Sequence, residues 1–259
     1  MENKLLKYFS GMSGLLLPVP NKSFYPPEFQ DRSRLFYYGT LMNSIEINSS
    51  FYKIPQAATI AKWSGEVPAD FKFTFKLFKE ITHQKNLVFD ATDVGRFFNV
   101  INHVEQKKGC VLVQLPPSIK ISHYVQIRQL LEVLRNYDPE LEWNIAIEFR
   151  HVSLYVEELN ELLAEFEMNS VIHDKKFSPS PLEANNAPFV YLRFHGPGGD
   201  YRGSYDDSLL AEYASYINEW IDEGKSVYTY FNNTMGDANG NLDTLRSMVK
   251  KGSLSDDDN

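Results

Sequence analysis

The 259-residue chain carries 26 Lys and Arg against 34 Asp and Glu, a formal net charge of -8, with 43% hydrophobic and 23% charged residues. This is the composition of a soluble globular protein, and its acidic balance disfavours nucleic acid or an anionic membrane as a partner bound by bulk charge, leaving a local basic pocket as the route to an anionic ligand. No run is long enough to cross a bilayer, and the single Cys110, in "CVLVQLP", excludes an internal disulfide and fits a core thiol in a reducing cytoplasm.

The chain opens on "MENKLLKYFSGMSGLLLPVP", where Ser10, Gly11, Ser13 and Gly14 interrupt the apolar stretch and argue against a secretory signal. Strands are predicted near "KYFSGM", "NSIEINS", "DFKFTFKL", "CVLVQLP", "WNIAIEFR", "MNSVIHD", "FVYLRFHG" and "SVYTYFNN". Between them, "HYVQIRQLLEVLRNY" sets Val125, Leu130, Leu131 and Leu134 on one helical stripe, and "YVEELNELLAEFE" does the same with Val156, Leu159, Leu163 and Phe166. "SLLAEYASYINEWIDEG" repeats the pattern and stops at Gly224. Strands alternating with helices predict parallel pairing, and their number predicts an α/β fold of TIM-type, a (β/α)8 barrel. Helices should be short or missing after strands one and six, where Pro and Ser accumulate. One domain is expected over residues 1–250, followed by an acidic, disordered tail over 251–259.

Alternation along a strand divides its residues between two faces, and in a barrel one face points inward. In "SIEINSSFYKIP" this opposes Ile45 and Ile47 to Ser44, Glu46 and Asn48. The same rule sends Lys76, Gln114, Glu148, Arg150, Arg193, His195 and Asn232 inward, with His173 or Asp174 from the sixth strand. Charged groups placed there must be paired or used, so the set reads either as an interior ion-pair network or as a site at the C-terminal mouth. The high aromatic content, 14%, fits a Phe-rich core or an aromatic-lined cleft.

Two Gly-rich connections follow the last two strands, "HGPGGDYRGSY" and "NNTMGDANGNLDTL". Such loops hold phosphate in some barrels and form plain turns in others; Asp237, Asn239 or Asn241 is expected to cap the final helix. His173, Asp174, His195, Glu46 and Glu148 are ligand types for a metal, yet no HxH, HExxH or Cys pair accompanies them, and no metal site is assigned. His83 and His151 fall just past strand ends, where capping is the expected role.

At these positions the sequence resembles the domain of unknown function 72 (YecE-like) family, through "IEINSSFYKIP", "FKFTFKLFKEITH", "VLVQLPPS", "AIEFRH", "VYLRFHG" and "YFNN" in that order. The resemblance covers residues 8 to 249. It implies a TIM-type barrel and no established reaction or cofactor. The matched positions are Glu46, Asn48, Phe51, Tyr52, Pro55, Lys76, Thr82, His83, Gln114 and Pro116 in the first half. In the second they are Glu148, Arg150, His151, Arg193, His195, Gly196, Phe231, Asn232 and Asn233. The chain departs from the family pattern at Leu15 and Leu154, where tryptophan is usual.

The leading expectation is an enzyme acting on a phosphorylated or polyhydroxylated small molecule at the mouth. Glu46 or Glu148 would be general base and His195 general acid; Lys76, Arg150 and Arg193 would hold anionic oxygens. Asn48, Gln114 and Asn232 would orient hydroxyls, Gly196 and Asn233 would join the binding set, and Tyr25, Tyr52 and Phe231 would stack a ring. Three alternatives stand beside it: a metal-dependent phosphoesterase or endonuclease, a glycosidase using Glu46 and Glu148, and a barrel that binds a ligand without chemistry. Nothing in the pattern specifies an oligomeric state.

Overall fold

The computed structural model describes residues 7–182 and 187–252. Its strands are β1 (Tyr8–Met12), β2 (Ser44–Ile47), β3 (Lys72–Lys76), β4 (Lys108–Gln114), β5 (Asn144–Glu148), β6 (Asn169–Ser170), β7 (Ile172–His173), β8 (Phe189–Phe194), β9 (Arg202–Gly203), β10 (Ser226–Phe231) and β11 (Met235–Gly236). The helices are α1 (Arg34–Leu41), α2 (Ser49–Tyr52), α3 (Ala57–Glu66), α4 (Lys79–Thr82), α5 (Ala91–Ile101), α6 (Tyr124–Tyr137), α7 (Glu157–Glu165), α8 (Asp207–Asp222) and α9 (Ala238–Gly252).

All pairing between these strands is parallel, as crossover helices require. One sheet runs β2-β3-β4-β5-β6, a second runs β1-β10-β8-β7, and β9 with β11 makes a small third. Where the sequence pattern predicts one closed ring, backbone pairing therefore makes two parallel sheets, and side chains explain the seam between β1 and β2. The Asn43 amide accepts from Ser10 N and donates to Tyr8 O, both at 2.8 Å. The Tyr38 hydroxyl accepts from Met12 N at 2.8 Å and donates to Ser44 O at 2.9 Å. Two side chains thus satisfy the backbone groups that a ladder would use. Beyond them a single parallel bridge joins Ser13 to Glu46. The other seam falls inside "MNSVIHD", where β6 pairs with β5 and β7 with β8 on either side of Val171.

The expected gaps in the helical layer are partly met. After β1 come two single 3-10 turns and then the eight-residue α1, with Ser33 Oγ accepting from Phe36 N at its start. After β7 no helix appears among the described residues before β8. In α6 the buried stripe is Ile127, Leu130, Leu131 and Leu134, whereas Val125 points to solvent. Val125 is two residues, more than half a turn, from Ile127 and so lies out of phase with the stripe the other residues form. In α7, Leu162 joins Leu159 and Leu163 in the core, while Val156 and Phe166 flank the helix and are half-buried. α9 continues to Gly252, past the expected domain end; the acidic residues 253–259 lie outside the described residues.

The outward strand residues, including Phe71, Phe73, Phe75, Val111, Val113, Ile145, Ile147, Val190 and Leu192, pack with the helices in one large core. The inward ones form a second, smaller cluster of Phe9, Cys110, Leu112, Ala146, Val171, Phe189, Tyr191, Tyr228 and Tyr230. Polarity rises along this interior toward the C-terminal ends of the strands. Above the apolar layer, the Tyr230 hydroxyl meets Ser44 Oγ at 2.5 Å and Thr74 Oγ1 at 2.7 Å. Charge begins one residue pair further on.

Candidate functional site

The first charged layer is built on Arg193 of β8. Its Nε and Nη2 donate to the two carboxylate oxygens of Glu46 at 2.8 and 2.7 Å, and its Nη1 donates to Glu148 Oε2 at 2.6 Å. The Tyr191 hydroxyl and Ser13 Oγ also donate to Glu46, and Arg150 forms an ion pair with the other oxygen of Glu148. Burial opposes ionisation of both carboxyls. The guanidinium of Arg193 outweighs it, aided by Ser13 and Tyr191 at Glu46 and by Arg150 at Glu148, so both carboxyls are held below the usual range. They are ionised; both oxygens of Glu46 and Oε2 of Glu148 accept hydrogen bonds, while Glu148 Oε1 has the Arg150 ion pair and no hydrogen-bond partner among the described residues.

His195 closes this layer. Its backbone N donates to Asp174 Oδ1 at 2.7 Å, its Nδ1 lies 3.3 Å from the same oxygen, and its Nε2 faces Arg193 and Arg150 at 3.3 and 3.4 Å. Burial and the two guanidiniums hold the imidazole below its ordinary value against the pull of Asp174, so Nε2 is an acceptor near neutral pH. The Tyr205 hydroxyl donates to the second oxygen of Asp174 and accepts from Gly196 N. His173, inward on β7, packs edge-on to His195 at 5.7 Å and has its Nε2 3.0 Å from Phe149 O.

Above the ion pairs opens a pocket of about 210 Å³. Asn48, Lys76, Gln114, Arg150, Arg193 and Asn232 supply its polar wall, and Phe51, Tyr52 and Tyr201 its aromatic one. The six polar residues each come from the end of a different strand or from the segment that follows it. Lys76 Nζ donates to Gln114 Oε1 at 2.8 Å and sits 4.4 Å above the Phe51 ring. Burial, with Arg193 and Arg150 adding to it against Glu148 and Glu46, brings the Lys76 ammonium down to about 8. Among the described residues, the buried Arg150 Nε has no hydrogen-bond partner. The charged side chains that line the pocket, Lys76, Arg150 and Arg193, are all cationic, with the carboxylates of Glu46, Glu148 and Asp174 set outside its wall.

The polar inner face expected from strand alternation is therefore real, but it divides into two tiers. Asn48, Tyr52, Lys76, Gln114, Arg150, Arg193 and Asn232 line the pocket. Glu46, Glu148 and His195 lie beneath it, buried, with their polar atoms engaged below the pocket floor. Tyr25 is buried against Tyr37, ring centroids 4.4 Å apart, and Phe231 stacks on Phe194 at 4.7 Å; neither ring faces the pocket. Both belong to the large core cluster.

Gly196 and Asn233 serve the rim. Gly196 has φ +98 and a Cβ there would meet Arg202 O at 2.2 Å, while Asn233 Nδ2 donates to Gly203 O and Asn241 Oδ1, each at 3.0 Å. The backbone N–H groups of the two Gly-rich loops are largely spent on one another, as in Tyr201 N to His195 O, Met235 N to Tyr201 O and Asp237 N to Gly203 O. These loops brace each other through paired backbone groups. Asp237 does cap α9, accepting from Gly240 N at 3.1 Å. His151 Nδ1 accepts from Ser153 N in a cap, and His83 Nδ1 pairs with Thr82 Oγ1.

Ser13, Tyr201 and Tyr205 escaped the sequence reading. Alternation from Phe9 through Gly11 reaches Ser13, so the signal was present; Tyr201, held at φ +72 in an irregular loop, has none. Among the described residues no three His, Cys, Asp or Glu side chains gather as a metal would require, and no helix is long and apolar enough to cross a membrane.

A parallel α/β domain with an ionic layer beneath a cationic mouth is the class this site defines. The chain belongs to the family described as Protein of unknown function DUF72, whose sequence profile matches residues 10–257. It is 27% identical over 249 residues to the UPF0759 protein YunF of Bacillus subtilis, covering 83% of this chain and 85% of that one. To the UPF0759 protein YecE of Escherichia coli it is 25% identical over 144 residues, 54% of this chain and 51% of the other. A DUF72 family protein from Enterococcus faecalis superposes with a TM-score of 0.75 at 20% identity, covering 94% and 95% of the two chains. SacUVDE superposes at 0.58 with 8% identity over 95% and 99%, a likeness of fold alone.

Proposed function

We propose that this protein is an enzyme that binds a small, anionic, hydroxyl-rich molecule in the pocket above the ion-pair layer. The observation that carries this reading is the cationic wall: Lys76, Arg150 and Arg193 line a cavity whose remaining walls are amides and aromatic rings. Arg150 and Lys76 would hold the anionic oxygens, Asn48, Gln114 and Asn232 the hydroxyls, and Tyr52 and Tyr201 the flat faces of the ligand. Glu46 and Glu148 act in this scheme as positioning residues that fix the two arginines, and His195 as a neutral spacer between them. The reading also takes the two sheets as arcs of one TIM-type ring, supported by the single-residue gap at Val171 and the Ser13–Glu46 bridge.

Calorimetric titration with inorganic phosphate and with a triose phosphate tests the site. Arg150→Met should weaken binding at least tenfold while leaving the fold intact; equal affinity in the variant would overturn the assignment. A second reading, a binding module without chemistry, is favoured by one specific observation, the ion pairing of both carboxylates with arginine. It requires that a bound ligand be recovered unchanged after prolonged incubation.

A further inference from the structure

With Glu46, Glu148 and His195 engaged below the floor, the ionisable side chains on the pocket wall are two guanidiniums, two phenols and one amine. Guanidinium is inert as a base or nucleophile. The amine is Lys76, at the last position of β3, and three features distinguish it from a surface lysine. Its Nζ is fixed between Gln114 Oε1 and the Phe51 ring. It shares the cavity with the guanidiniums of Arg193 and Arg150, while the balancing carboxylates of Glu46 and Glu148 are each held by those same arginines; His83, below its own ordinary value, stands on the side of α4. It also opens onto a space that accepts a small molecule.

From this arrangement we infer that Lys76 forms an imine with an aldehyde or ketone that carries a phosphate or carboxylate, the anionic group resting on Arg150. This rests on the reading of the pocket as an anion site and narrows its substrate to carbonyl compounds. The Nζ lone pair adds to the carbonyl carbon, and a proton passes from nitrogen to oxygen to give the carbinolamine. Loss of that oxygen as water leaves a carbon–nitrogen double bond to Lys76. One water is released, and no oxidant or reductant is consumed. Cationic neighbours and partial desolvation are how a lysine becomes nucleophilic near neutrality. With its ammonium lowered to about 8, Lys76 is unprotonated in roughly one molecule in ten at pH 7, against fewer than about one in a thousand for an ordinary lysine.

Lys72 and Lys107 are internal controls. Burial lowers both, but their ammonium groups donate to the backbone carbonyls of Gln106 and of Ser64 and Val67, at the opposite ends of the strands, outside the pocket.

The test is reductive trapping of the full chain with glyceraldehyde 3-phosphate and sodium cyanoborohydride, read by peptide mass spectrometry, alongside phosphate titration of the same samples. The expected result is one dominant adduct, on Lys76, with a rate that rises through a midpoint near pH 8 and is suppressed by inorganic phosphate. Lys76→Arg should bind phosphate yet give no dominant adduct. Phosphate binding with adducts scattered over exposed lysines, at the rates seen in urea, would overturn the imine and leave the anion site standing. Absence of both phosphate binding and selective labelling would overturn the two together.

Discussion

Arg193 grips Glu46 with two parallel bonds, Nε to Oε2 at 2.8 Å and Nη2 to Oε1 at 2.7 Å, across an interior where both side chains are buried. The same guanidinium reaches Glu148, so one cation answers two anions. Replacing it by Arg193→Met leaves carboxylates without their main counter-charge in low dielectric, and should cost about 3–5 kcal/mol of stability. Urea unfolding followed by tryptophan fluorescence measures this; a loss under about 1 kcal/mol would mean the layer is solvated.

Acid sensitivity should begin well above the carboxylate range, because of His173. Burial, partly offset by Glu148, pushes its imidazole from 6.5 down to about 4. Between those values the unfolded chain binds a proton that the folded chain does not, so stability falls as pH drops from about 6.5 toward about 4. His195 is lowered in the same direction and adds to the slope. His173→Gln should therefore reduce the loss in that window without abolishing it, as thermal melts at stepped pH would show. The Glu46 and Glu148 contributions are present above the ordinary carboxylate value and disappear only at lower pH, as each is protonated in the fold.

Lys76 should leave the opposite mark. Its ammonium is easier to deprotonate in the fold than in the unfolded chain, so stability rises as pH climbs from about 8 toward the ordinary 10.5. In Lys76→Met this part of the rise should be missing, which chemical denaturation across pH 7.5 to about 10 would detect.

Gly11 marks the closest approach between β1 and β2. A Cβ built there would stand 1.9 Å from Ser44 O and 2.6 Å from the Tyr38 hydroxyl. Gly11→Ala should destabilise by about 3 kcal/mol or more, since backbone must shift to relieve the clash. Gly65, where a Cβ would meet nothing within 4 Å, is the control, and Gly65→Ala should be neutral or slightly stabilising.

Tyr205 couples the rim to the ionic layer by donating to Asp174 and accepting from Gly196 N. Tyr205→Phe strands both partners and should cost about 1–3 kcal/mol. The proton shift of the His195 ring in NMR should move as well, because Asp174 is its carboxylate partner, 3.3 Å from Nδ1.

Strand alternation made much of this site legible. Glu46, Lys76, Gln114, Glu148, Arg150 and Arg193 all lie inward because a period of two fixes the face a residue takes. Depth along the strand was less legible: Glu46 and Asn48 share a face, yet one is sealed beneath Arg193 and the other lines the pocket, a difference of one strand repeat. The split at the β1–β2 seam was hidden because Tyr38 and Asn43 act through side-chain bonds that leave no periodic trace. Phe231, at the end of β10, misled because an aromatic residue at a strand end can serve core or cleft with the same local sequence, and Tyr25 because it lies in irregular chain with no period to fix its face.

The short pairing of β9 with β11, Arg202 to Met235 and Gly203 to Gly236, has a mechanical corollary. The excursions after β8 and β10 are stitched together and pinned to α9 through Asn241, so neither can swing without dragging the other. Tyr52, 69% exposed at the end of the short α2, stands on a segment tied to β3 by buried Ser50, whose Oγ donates to Lys76 O at 2.7 Å. The rim is thus anchored by two unlike devices, loop stitched to loop on one side and helix to strand on the other.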